Sequence, residues 1–149
     1  MPRLLLDEFL PYRLSVADHV VSQVIERAYA RHELSAPQWR VIAVLGEADA
    51  LSQREIVDRT RMDKLTISRA ARALAMRRVV LRRDDVSDGR TLRLSLSSQG
   101  RRIYDAVIPA ALEVEQRIAD QLGAGDRKAL DKLLRKVEAA ALACEDGIK

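Results

Sequence analysis

From Lys64 to Arg83 the chain reads KLTISRAARALAMRRVVLRR, with six arginines, one lysine and no acid. Cations that no carboxylate neutralises suit a polyanion partner. An ordinary solvated face would mix Glu among them. Arg can also fork onto phosphate or onto the O6 and N7 edge of guanine. The next stretch, DDVSDGR, sets Asp85, Asp88 and Gly89 between Arg83 and Arg90. Free carboxylates there would repel phosphate, so their expected role is structural. Asp85 and Asp88 cap a turn and pair with an arginine such as Arg83 or Arg90, and Gly89 permits a tight or positive-φ backbone. Enzymatic chemistry is not expected. The chain has no glycine-rich phosphate loop and no Ser, Cys or Lys in an activating motif, and two histidines with one cysteine do not make a metal cluster. No cofactor and no metal are therefore expected.

The elements that must position these residues are signposted. Asp63 can cap a helix running to about Arg78. At about 100° per residue, Ile67, Ala71, Leu74 and Arg78 share one side, with Ala70 at the flank. Opposite lie Leu65, Arg69, Arg72 and Met76, with Ser68 beside them. Such a face can enter a major groove: Arg69 and Arg72 onto guanine, Leu65 onto a thymine methyl, small residues allowing close approach. Lys64 and Thr66, in the first turn, could meet phosphates or base edges. Upstream, Ser52-Gln-Arg-Glu55 is a capping box opening a short helix to about Arg59. Short helix, brief turn and longer helix make a helix-turn-helix. Another box, Ser35-Ala-Pro-Gln38, opens a helix to about Glu47. Downstream, Val79 to Leu81 and Thr91 to Leu96 form a hairpin with Leu92, Leu94 and Leu96 on one face. A hairpin beside a recognition helix is the wing of a winged helix. Its tip residue Arg90, with Arg83 behind it, suits a narrow minor groove.

The flanks are helical. A helix from about Asp7 to Arg31 carries Leu14, Ala17, Val21, Val24 and Ala28, with apolar residues on further faces that suggest a cover beyond its own chain. After Ser97 a long helix reaches about Leu122, with a kink expected at Pro109. Gly123 and Gly125 break it, and Asp126 is expected to cap a last helix striped by Leu130, Leu133, Leu134, Val137, Ala141 and Cys144. Cys144 is expected in buried or interface packing. The fold class is mainly α with a small β-hairpin wing. Charge is segregated: Leu51 to Arg102 holds 14 Lys/Arg, of which 13 are Arg, against 6 Asp/Glu, while the rest holds 12 against 16. The polyanion partner therefore belongs to the middle. A lone cysteine, no signal-like segment and no apolar run of membrane length lead to an expectation of a cytoplasmic protein without a membrane partner.

From Leu4 to Ala143 the chain resembles the MarR (multiple antibiotic resistance regulator) family of bacterial transcription factors. The specific part is MDKLTISRAARALAMRRVVLRRDDVSDGRTLRLSLSSQG. It is similar to the family's recognition helix and wing motif Asp-x-x-Asp-x-Arg, here Asp85, Asp88 and Arg90. Leu94-Ser-Leu96-Ser97 followed by Gly100 is like Leu-x-Leu-Thr-x-x-Gly, with Ser97 replacing Thr. Where the family often has Gly after the recognition helix, this chain has Arg78-Val79. The resemblance implies a homodimer, with residues 1–34 and 98–149 as the helical dimerisation region and 35–97 as the winged helix-turn-helix domain. It implies a double-stranded, pseudo-palindromic DNA site with half-sites about 34 Å apart. It also implies a repressor released by a small aromatic or phenolic acid, for which Tyr12, Arg13, His19 and Trp39 are candidate pocket residues. The family's oxidant-sensing cysteine near the chain start is absent here. The other reading is a ligand- or redox-sensing interaction module whose winged helix docks a protein; a shallow salt dependence of DNA affinity would mark it.

Overall fold

The computed structural model describes residues 1–145, so the last four positions of the 98–149 span lie outside the described residues. In order come a 3-10 turn (Leu6–Glu8), α1 (Leu10–Tyr29), a second 3-10 turn (Ala30–His32), α2 (Ala36–Gly46), β1 (Leu51–Ser52), α3 (Gln53–Thr60), α4 (Lys64–Met76), β2 (Val80–Asp84), β3 (Leu92–Leu96), α5 (Ser98–Leu122) and α6 (Ala124–Glu145). The chain divides into two compact units, Met1–Ala111 and Leu112–Lys149.

In the first unit the helix starts follow local chemistry. Ser35 Oγ accepts from the Gln38 N–H at 3.4 Å, and Gln38 Oε1 accepts from the Ser35 N–H at 3.0 Å. Ser52 and Glu55 repeat this reciprocal box at 3.2 and 2.7 Å. Each box satisfies two donors that a helix start leaves unpaired. The core that these helices close is apolar throughout. Val41, Ile42 and Leu45 of α2, Ile56 of α3, Ile67 and Leu74 of α4, Val79 and Val107 are fully buried, and among the described residues no polar or charged one is buried. Trp39 stacks between Tyr29 and Tyr104, with ring centroids 5.7 and 6.4 Å away.

The hairpin belongs to a three-stranded antiparallel sheet of order β1-β3-β2. Strand β1 was not expected. Its two residues pair Leu51 with Leu94 and Ser52 with Arg93. Of the three alternating leucines, Leu94 is buried and Leu96 half-buried, but Leu92 is 47% exposed because it lies beyond the reach of β1. Ser97 supplies the hydroxyl that the Thr of the family motif would: its Oγ donates to the Arg78 carbonyl at 2.7 Å and accepts from the Gly100 N–H at 3.0 Å. Gly100 is required by close approach, since a Cβ there would collide with the Val79 carbonyl oxygen.

Helix α5 runs through Pro109 to Leu122, the extent expected. It stops at Gly123, whose φ of 78° favours glycine. This shifts the start of the last helix. Helix α6 begins at Ala124, with the Gly123 carbonyl accepting from the Arg127 N–H at 3.0 Å, so Asp126 lies in the first turn and does not cap it. Within the second unit α6 has no buried residue among those described: Leu130, Leu133, Leu134 and Cys144 are exposed and Val137 is half-buried. The expected burial of Cys144 is therefore not met within its own chain. No described helix is long and apolar enough to cross a membrane.

Candidate nucleic-acid interface

Helix α4 sorts its side chains as its periodicity requires. Ile67, Ala70, Ala71 and Leu74 are buried against α2 and α3. Lys64, Leu65, Arg69, Arg72 and Met76 are exposed, and Ser68 is half-buried. Leu65 stands 58% exposed, which a core role would not explain. Asp63 caps the helix: one carboxylate oxygen accepts from the Thr66 N–H at 2.8 Å, the other from the Thr66 hydroxyl at 2.6 Å. The hydroxyl of Thr66 is thus committed to the cap, leaving only its lone pairs for a ligand. These bonds from Thr66, its side chain first, hold the Asp63 carboxyl below the ordinary range.

The helix ends earlier than periodicity suggests. Arg78 leaves the expected buried arc, adopts φ 59° and is exposed. The Val79 N–H donates to the Leu74 carbonyl at 2.9 Å and the Arg78 N–H to that of Ala75 at 3.0 Å, a Schellman end with buried Val79 against buried Leu74. Arg at the left-handed position keeps the chain reversal that Gly would make more easily. Its neighbour Arg77 donates to the backbone carbonyls of His32 at 2.8 Å and Glu33 at 3.0 Å, tying the end of α4 to the turn before α2.

In the wing, Asp85 Oδ1 accepts from the Ser87 N–H at 2.9 Å and its hydroxyl at 2.7 Å. Asp88 accepts from the Arg90 N–H at 3.1 Å and the Thr91 hydroxyl at 2.9 Å. Both are turn-capping carboxylates. Neither pairs with the Arg83 or Arg90 guanidinium; the arginine beside Asp85 is Arg93, at 3.6 Å. Gly89 has neither a positive φ nor a close neighbour, so the turn does not need glycine for its backbone. The turn is instead closed by side-chain bonds from Asp85 and Asp88. The Arg83 and Arg90 side chains are exposed and unpaired among the described residues. Shallow grooves flank α4, one with Ser35, Gln38, Thr66 and Arg69 along it, the other with Gln53, Arg54 and Lys64.

The MarR family model matches residues 32–91, from the turn before α2 to the wing tip. The chain is 29% identical to the HTH-type transcriptional repressor NicR of Pseudomonas putida over 128 residues, which is 78% of this chain and 81% of that one. The chain resembles the MarR family over its winged-helix segment. Its winged-helix fold is shared with solved structures. Bordetella bronchiseptica BpsR, whose DNA binding is regulated by 6-hydroxynicotinic acid, matches with a TM-score of 0.82 at 23% identity, over 92% of this chain and 98% of BpsR. The S. aureus MepR–DNA complex matches with a TM-score of 0.81 at 19% identity, over 89% and 98%. The family model and the likeness to NicR together support a DNA-binding transcriptional regulator.

Two features of the winged-helix lobe were not read from its sequence. Arg54 beside Lys64 carried no motif of its own. Arg93 carried no motif either, and its Nη1 donates to Glu55 at 2.7 Å. Only the pairing of β1 with β3 brings that pair together. The candidate effector residues are not gathered either. Tyr12, Arg13 and His19 are exposed on α1, and Trp39 is buried. A groove of about 230 Å³ between α1 and α2 is lined by Val21, Ile25, Tyr29 and Trp39, with Asp18 and Arg40 at its polar side. Its cation is therefore Arg40, 3.8 Å from Asp18, and not Arg13.

Proposed function

We propose that the protein is a cytoplasmic repressor that binds a pseudo-palindromic operator as a homodimer. Arg69, Arg72, Leu65 and Ser68 of α4 read the major groove, with Lys64 and Thr66 at its phosphate edge. Arg90, with Arg83 behind it, enters the minor groove. The observation that carries this reading is the exposed face of α4, which holds two unpaired arginines and no acid, beside a hairpin tipped by another. The dimer is supported by apolar side chains that one chain leaves exposed, Phe9, Leu10, Val16 and Val20 near the start and Leu130, Leu133 and Leu134 in α6. On this reading residues 1–34 and 98–149 form the dimerisation region.

Release by a small aromatic acid is the finer part of the proposal. The groove beside Trp39 offers aromatic walls and the Arg40 guanidinium for a carboxylate. Regulation of BpsR by 6-hydroxynicotinic acid points to the same ligand class.

Fluorescence anisotropy with the duplex upstream of its own gene and a shuffled duplex, across a salt series, tests the reading. Preferential binding that falls steeply with salt is expected, because each phosphate contact releases counterions. Equal, weak binding to both duplexes at every salt concentration would refute it in favour of a protein-docking module. Adding aromatic acids to the bound state tests release, and Arg40→Met should weaken it.

A further inference from the structure

We infer that Arg93 is a positioning residue that locks the wing onto the helix-turn-helix, and does not itself bind DNA. The inference rests on the wing's role in DNA binding proposed above. Three observations carry it. The first is the shape of the hairpin. β2 is buried only at Val80, and from Leu81 to Arg90 every residue is exposed except half-buried Asp85. The tip is therefore a lever without core contacts of its own. The sheet supports it only at its base, where β1 reaches β3 at Leu94 and Arg93.

The second is what Arg93 holds. Its Nη1 donates to Glu55 Oε2 at 2.7 Å, and that same oxygen accepts the Ser52 N–H at 2.7 Å. Its Nε lies 3.6 Å from Asp85 Oδ2, while Asp85 Oδ1 holds Ser87. One guanidinium thus joins the cap of α3 to the carboxylate that closes the wing turn. Arg is needed for this, because its planar fork presents separate N–H groups to two acceptors. The third is charge. Arg93 lies directly across from Arg83 in the β2–β3 register. Like charges in that position repel unless compensated. Glu55 and Asp85 compensate Arg93, which leaves Arg82, Arg83 and Arg90 as the wing's unpaired cations among the described residues.

The test compares Arg93→Met and Glu55→Gln with the unaltered protein. Glu55→Gln keeps an oxygen for the Ser52 N–H and removes the ion pair, so it serves if Arg93→Met fails to fold. Without DNA, hydrogen exchange at the Asp85 and Thr91 amides should quicken in both variants, with α4 amides unchanged. With the operator duplex, Arg93→Met should lose about fivefold in affinity, the scale of an exposed ion-pair network. The slope of log affinity against log salt should stay the same, whereas Arg90→Ala should reduce it by about one. In an Arg90→Ala background the Arg93→Met loss should shrink, since the lever has lost the contact at its tip. Unchanged wing exchange would overturn the inference. So would an equal affinity loss in both backgrounds, or a shallower salt slope, which would make Arg93 a phosphate contact. If Arg90→Ala itself costs nothing, the minor-groove reading fails, and wing exchange alone then decides whether Arg93 is the anchor.

Discussion

The winged-helix lobe and the flanking helices treat the same apolar side chains in opposite ways. In α2 and α4, eight residues are buried within the chain, from Trp39 and Val41 to Leu74. In α6, of greater length, none is. The lobe is closed by its own residues: capped helix starts, a Schellman end, a sheet edge tied down by β1. The flanks leave leucines such as Leu130, Leu133 and Leu134 of α6 exposed. An apolar surface of that kind signals a partner. The lobe can therefore be read from one chain, whereas the exposed leucines of the flanks are what the proposed homodimer would cover.

Breaking the flanks should have the largest effect. Leu133 is 56% exposed in the chain, so Leu133→Glu should cost an isolated chain little. In a dimer it would bury a charge and should convert the protein to monomer by light scattering. An unchanged mass would remove α6 from the interface. Breaking the lobe comes next. Leu74 is fully buried, and Leu74→Ala should cost about 2–5 kcal/mol in urea unfolding by leaving a cavity. Arg69→Ala should leave stability and mass alone and lower specific DNA affinity by about 1–3 kcal/mol. Equal losses on specific and random duplexes would sink its base-reading role.

The smallest effect is in pH. Ser52 hydrogen bonds, the backbone one first, hold the Glu55 carboxyl below the ordinary range, and Thr66 does the same to Asp63. A carboxyl depressed in the folded state stabilises it above its unfolded pKa, and that stabilisation is lost as pH falls through the folded value. Melting temperature should therefore drop modestly on acidification below the ordinary carboxylate range. The drop should shrink in Asp63→Asn, which keeps an oxygen for the cap. An unaltered pH profile in that variant would remove the cap from the account.

What was legible follows from range. Ser35 with Gln38, Ser52 with Glu55 and Asp63 with Thr66 are three residues apart, so helix geometry alone brings each pair together. The buried arc of α4 was legible for the same reason, apart from Arg78. That residue lies past the helix end, where a left-handed turn replaces the periodicity. The wing's arginine partner was misread because residues inside the turn were the nearest acceptable choice. Arg93 and Glu55 are separated by 38 positions. The start of α6 was misplaced because Gly123 reverses the chain and supplies the cap carbonyl itself, while Asp126 had only a favourable residue type.

By itself the sequence determined the order of the helices, the capped starts of α2, α3 and α4, the hairpin and the acid-free basic face, because each depends on neighbours within a few residues. Tertiary structure decided the two-residue strand β1, the tie from Glu55 through Arg93 to Asp85, and the groove in which Arg40 lies near Trp39. Each of these needs segments far apart in the chain to pack first, and no local spacing records that.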